Sequence, residues 1–190
     1  RLPQSKTLLG FVGAPYTLYT YAVEGSHQGN FVFAKRGLRN QLFNNFCELL
    51  IPELLKNIAV QIEGGADAIC LFDTAAGELC YQDYIEYVVP KLHQVTQAVK
   101  EKYPNTPITY YSKHTNPAFF KALDTQSIDT LGIDWRLDLA EISKTYSKDF
   151  YIQGNFDPIW LHLDWKDLES NLKKYFSYLQ SQDLNFEKWI

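Results

Sequence analysis

Residues 10–25 read GFVGAPYTLYTYAVEG, and this stretch decides the fold. It opens as an apolar strand, breaks at Gly13-Ala14-Pro15, and runs into a dense set of hydroxyl-bearing residues: Tyr16, Thr17, Tyr19, Thr20 and Tyr21. A buried strand selects apolar side chains, and a solvent loop selects Ser, Asn and Asp. Tyrosines satisfy neither rule. Their apolar bodies and polar tips suit a pocket wall just past a strand end.

The same strand-then-helix unit recurs along the chain. From Leu42 the apolar residues Phe46, Leu49, Leu50, Leu54, Ile58 and Ile62 follow the helical period, and Gly64-Gly65 ends it. Pro52 predicts a kink there, or a break into two helices. An apolar strand over 66–74 comes next, then a second helical period through Ile85, Val88, Leu92, Val95 and Val99, ending near Tyr103-Pro104. A strand over 107–113 follows, and Asn116 caps a short helix with Pro117 at its first position. Strands over 129–135 and 149–155 flank a helix at 137–147. Leu168, Leu172, Phe176 and Leu179 mark the last helix, and NFEKWI (185–190) reads as the start of a sixth strand.

Strands apolar on both faces, alternating with helices, define an α/β fold with a parallel sheet. The glycine fingerprint of a dinucleotide fold does not follow the first strand. Polar residues stand at successive strand ends: Asp73 and Thr74, then Lys113 and His114, then Asp134, then Gln153, Asn155 and Asp157. That pattern favours a (β/α)8 TIM barrel, whose active site lies at that face. Five or six units fall short of eight. The chain therefore reads as one domain over residues 1–190, the central portion of a barrel lacking its N-terminal units and final strand.

Composition narrows the function. The chain is 46% apolar and 15% aromatic, so it can build a core, and its net charge of −4 argues against a nucleic-acid surface. The longest apolar runs are too short for a membrane span. Cys47, Cys70 and Cys80 form no CxxC pair and read as reduced thiols in or near the core of a cytoplasmic protein. No Cys/His spacing suggests a metal. His27, His93 and His162 read as loop or helix positions, and His114 is the one histidine near a strand end.

Four stretches together resemble one family. GFVGAPYTLYTYAVEG resembles the uroporphyrinogen decarboxylase pattern G-F-x-G-A-P-[WY]-T-L-x-x-Y-x-[VI]-E-G. GGADAICLFDTAAGEL resembles its G-A-D-x-x-x-[FI]-[DE]-[ST]-x-x-G-x-L, TLGIDW its G-[LIV]-D-W, and YIQGNFDP its Q-G-N-x-D-P. The resemblance implies a TIM barrel, a cytoplasmic homodimer and a cofactor-free decarboxylase of haem biosynthesis. It implies that uroporphyrinogen III loses its four acetate carboxyls to give coproporphyrinogen III. It also implies that Tyr21 contacts substrate, that Phe11 lies beneath the macrocycle, and that the Thr74 hydroxyl meets a carboxylate with Phe72 beside it as a further substrate-binding residue. No stretch matches the family's R-Q-A-G-R-Y segment, its catalytic aspartate or its N-L-G-H-G segment, so no catalytic residue is assigned here.

Two other readings remain. Cobalamin-dependent methyltransferases of the same barrel bind zinc through a His-x-Cys motif, and the comparable stretch here, KHTN, has Asn116 in the cysteine's place. A non-catalytic tetrapyrrole-binding fragment is the other.

Overall fold

The computed structural model describes residues 3, 5–26, 29–182, 184 and 186–190. Five parallel strands form one sheet in the order β1-β2-β3-β4-β5: Leu9–Gly13, Ala68–Asp73, Ile108–Ser112, Thr130–Gly132 and Tyr151–Gln153. Each strand pairs with the next in sequence. A doubly wound sheet reverses its strand order at a switch point, whereas a barrel adds strands in one direction. The consecutive order is therefore an arc of a β/α barrel.

The helices follow from local sequence. Helix α1 (Pro15–Glu24) begins on a proline, whose fixed φ and missing N–H suit a first helical position. A short α2 (Val32–Arg39) precedes α3 (Leu42–Glu63). Helix α3 runs through Pro52 without dividing, contrary to the expected break. Pro52 lies on the exposed side, as does Glu48, whose carbonyl loses its partner. On the other side Phe43, Cys47, Ile51, Leu54 and Ile58 are buried and hold the helix in place.

A turn of helix α4 (Tyr81–Asp83), a π-helical turn (Tyr84–Val88) and α5 (Val89–Lys102) form one continuous rod. Arg39 reaches from α2 to the nearly buried Asp83 with Nη2 2.8 Å from Oδ1, tying these helices together. The short helix after β3 is a 3-10 turn (Pro117–Ala122), capped as expected: Ala118 N donates to Asn116 Oδ1 at 2.9 Å. Helices α6 (Leu139–Tyr146) and α7 (Trp165–Ser181) are capped by Asp138 and Asp164.

Two expectations need correction. Residue 185 lies outside the described residues, and Phe186–Lys188 is a 3-10 turn rather than a strand. What remains of the sixth strand is one parallel bridge between Ile152 and Trp189. Cys47 and Cys70 are buried free thiols, but Cys80 is exposed at the start of α4. His27 also lies outside the described residues. Among the described residues, no helix is long and apolar enough to cross a membrane.

Candidate functional site

Side chains in register on neighbouring parallel strands point to the same face. Val12, Leu71, Tyr110, Leu131 and Ile152 form one such row, and none is more than 8% exposed. This row packs into the hydrophobic core with the helices. The opposite face carries two rows. The lower holds Phe11, Cys70, Thr109, Thr130 and Tyr151, and the upper, at the C-terminal edge, holds Gly13, Phe72, Tyr111, Gly132 and Gln153.

This second face is aromatic and partly open. Phe11 is 65% exposed and Phe72 37%. Their ring centroids are 5.9 Å apart, and Phe72 meets Tyr111 at 5.8 Å, both edge-on. Edge-to-face contact fixes ring tilt as well as position. Gly132 makes room for the row, since a Cβ there would stand 3.0 Å from both Cβ and Cδ2 of Tyr111. Beneath the rings Cys70 is buried, which raises its thiol pKa to about 11 and keeps it protonated near neutrality.

Polar groups border the rings. Thr74 follows β2 directly and is partly buried in the turn. Asp134, past β4, is buried and braces two loops: Oδ2 accepts from His114 N at 2.7 Å, and Oδ1 from Arg136 N at 2.8 Å. Trp135 carries Arg136 over its ring at 4.1 Å and Lys113 Nζ at 5.8 Å. His114 Nδ1 lies 3.4 Å from Glu78 Oε1. The turn bearing Glu78 approaches so closely that a Cβ on Gly77 would stand 2.1 Å from the Lys113 carbonyl oxygen. Asn155 and Asp157 order their own loop. Tyr175 OH donates to Asn155 Oδ1 at 2.7 Å, Asn155 Nδ2 donates to Asp134 O at 3.2 Å, and Asp157 Oδ1 accepts from Ile159 N at 3.0 Å.

Asp73 faces the other way. It is 0% exposed and accepts from Thr17 Oγ1 at 2.9 Å and from Tyr110 OH at 3.0 Å. Tyr84, in the π-helical turn, donates to Tyr110 OH at 3.1 Å. Thr17 Oγ1 also accepts from Ala75 N at 3.1 Å. Burial pushes the Asp73 carboxyl up to about 6 and outweighs these hydrogen bonds, which lower it. Burial likewise drives the Tyr110 and Tyr84 phenols far above their ordinary range. Among the described residues Asp73 meets hydroxyls and no cation, so it is a hydrogen-bond hub that joins β2, β3 and α1.

The structure brings Phe11 and Phe72 into contact, with Thr74 two residues past Phe72. Tyr21 is carried by α1 and is 47% exposed. Sequence reasoning missed Tyr111 and Arg136. The signal for Tyr111 was its register: two residues before Lys113, it falls on the same face as that strand-end lysine. His93 sits on α5, where its Nε2 accepts from Asp124 N at 3.1 Å and burial lowers its pKa. His162 is exposed at the end of a 3-10 turn (Pro158–His162).

An arc of parallel strands with an aromatic, polar-rimmed face at its C-terminal edge defines a β/α-barrel protein. A family model described as uroporphyrinogen decarboxylase (URO-D) matches residues 1–185, and the chain belongs to that family. Uroporphyrinogen decarboxylase of Chlorobium phaeobacteroides is 38% identical over 157 residues, covering 82% of this chain and 44% of the relative. Those of Crocosphaera subtropica and Gloeobacter violaceus are 34% and 31% identical, covering 80% and 89% of this chain and 43% and 49% of their own lengths. The chain thus spans about half the length of the curated relatives it matches. A solved methyltransferase from Methanosarcina mazei superposes with a TM-score of 0.68 at 12% identity, over 81% of this chain and 44% of that one. At that identity the likeness speaks for the fold alone.

Proposed function

We propose that this chain supplies a substrate-holding wall of a uroporphyrinogen decarboxylase, which removes the four acetate carboxyls of uroporphyrinogen III as CO2 to give coproporphyrinogen III. Family membership and the names of its relatives support the reading. The observation that carries it is the ring cluster of Phe11, Phe72 and Tyr111, an apolar platform with hydroxyl and cationic groups at its border. A tetrapyrrole needs such a floor for its rings and donors around the rim for its acids.

In this reading Phe11 and Phe72 lie under the macrocycle, Thr74 donates to a carboxylate, and Tyr21 closes over the substrate from α1. A neutral hydroxyl can hold a departing carboxylate without a fixed charge that would retain it. Protonation of an electron-rich pyrrole carbon makes the ring an electron sink. The electron pair of the broken C–C bond then flows into the ring as CO2 leaves; the exocyclic methylene takes up a proton to become methyl and the ring carbon gives its added proton back, so the chemistry calls for no cofactor. Asp73 takes no part in it, being sealed on the helix side of the sheet. Asn116, where the methyltransferase motif has cysteine, is occupied as a helix cap. A cytoplasmic homodimer follows from the family resemblance.

The test is an anaerobic assay of the complete gene product with uroporphyrinogen, following CO2 release and carboxylate loss in the oxidised porphyrins. Stepwise decarboxylation to the coproporphyrin level is expected. No turnover of either uroporphyrinogen isomer overturns the reading.

A further inference from the structure

The rim of the aromatic row holds a positioned cation. Arg136 is stacked on Trp135 with its guanidinium carbon 4.1 Å from the ring centroid, and its Nη1 lies 3.1 Å from Asp134 Oδ2. The Asp134 side chain is only 2% exposed, while that of Arg136 is 44% exposed. Asp134 is also committed to two backbone N–H groups, His114 and Arg136, so it acts as a brace. That pairing engages one nitrogen of a guanidinium, which has five N–H donors in a rigid fork. The remaining donors are available to a ligand, and the stacking and pairing have already restricted the side chain. Lys113 adds a second positive charge against the same indole. The facing acidic groups are Asp134 and, beside His114, Glu78. Arg136 is also near enough to Tyr111 for its charge to oppose the rise that burial causes in that phenol's pKa.

We propose that Arg136, stacked on Trp135 and braced by Asp134, is a carboxylate-binding residue of this site, and that it holds a carboxylate which the reaction retains. The proposal rests on the reading of this face as the substrate wall and deepens it. A ligand whose rings lie on Phe11, Phe72 and Tyr111 extends its flexible acids to the rim. A bidentate cation binds an anion tightly in ground state and transition state alike. That suits an acid group that stays on the product, and it would hinder the loss of one that departs.

Direct fluorescence titration of the complete gene product with uroporphyrin III and coproporphyrin III, alongside steady-state kinetics, tests this. Arg136→Gln should weaken both porphyrins by a similar factor, on the order of 10- to 100-fold. Its KM should rise while kcat stays within about twofold, as loss of uniform binding requires. Arg136→Lys keeps the charge without the fork and should recover part of the loss, which also separates binding from any effect on folding. Unchanged titrations in Arg136→Gln overturn the proposal while leaving the decarboxylase reading intact. A loss confined to uroporphyrin overturns it too, because the contact would then be to a departing acetate. A parent protein that binds neither porphyrin and turns over no uroporphyrinogen overturns both.

Discussion

Thr17 Oγ1 donates to Asp73 Oδ1 at 2.9 Å across a sequence separation of 56 residues. The bond ties the first turn of α1 to the last residue of β2, and Ala75 N completes it from the far side at 3.1 Å. Phe72 and Thr74, the proposed substrate contacts, flank this anchor in sequence.

Thr17→Val keeps the shape but leaves Asp73 Oδ1 and Ala75 N without their partner. A buried group stripped of its hydrogen bond costs about 1–3 kcal/mol. A lower urea midpoint at unchanged m-value is expected. The Asp73 carboxyl should also titrate higher, since the Thr17 bond is one of the influences that lower it. Stability equal to the parent's would show that the bond contributes nothing.

Asp73→Asn tests the sign of a pH effect. Burial raises this carboxyl from 3.8 to about 6 in the folded protein. The folded state therefore holds its proton over a window in which the unfolded state has lost it. The contribution of Asp73 to stability is fully present below about pH 4 and is lost as pH rises through about 6. The full swing is roughly 3 kcal/mol, because each pH unit separating the folded from the unfolded pKa is worth about 1.4 kcal/mol. The stability difference between parent and Asp73→Asn, from denaturant midpoints at pH 4 to 7.5, should change by about that amount in the parent's disfavour. A difference independent of pH would contradict the assignment.

Tyr21→Phe and Thr74→Ala each remove one hydroxyl from the proposed wall. Loss of a hydrogen bond to a charged group costs about 1.5–3 kcal/mol, or ~10- to 150-fold in kcat/KM. Tyr21 is half exposed on α1, so Tyr21→Phe should melt like the parent. Values of kcat/KM within about twofold of the parent for both would return them to structural roles.

Gly77→Ala should fail for a steric reason. The added Cβ would stand 2.1 Å from Lys113 O and 2.7 Å from the His114 carbonyl carbon, both backbone atoms that cannot rotate away. About 2–3 kcal/mol of destabilisation is expected, with a fall in activity because Lys113 and His114 border the site. Normal melting and kinetics would mean that the two turns can part freely.

What the sequence revealed, and what it hid, divides along the range of the interactions. The break at Gly13-Ala14-Pro15, the Asn116-Pro117 cap and the helical period from Ile85 to Val99 are local, and each stands where expected. Pro52 misled because tertiary burial of Ile51 and Leu54 holds a helix that local propensity would break. The residues at 186–190 misled because Phe186, Trp189 and Ile190 around the charged pair Glu187-Lys188 make too short a pattern to separate a strand from a turn. Phe11, Phe72 and Thr74 were singled out through motifs, and the structure sets the first two edge to face. Tyr111 was hidden beside Tyr110, an adjacent tyrosine that faces the other side of the sheet, and Arg136 stood one residue beyond a familiar stretch. Its place depends on Trp135 and Asp134, which only the folded chain sets around it.

Adjacent positions in β2 have opposite destinations: Phe72 turns to the ring-lined face, and Asp73 into a sealed socket. Strand side chains alternate with a period of two, so gain or loss of a single residue within Ala68–Asp73 would exchange them. A carboxylate would then be thrust among the rings, and a benzyl group driven against the hydroxyls of Thr17 and Tyr110. Both errors are costly, and they arrive together. Length variation should therefore be barred from this strand and tolerated in the connections beyond it, which makes β2 the frame from which the whole arc is counted.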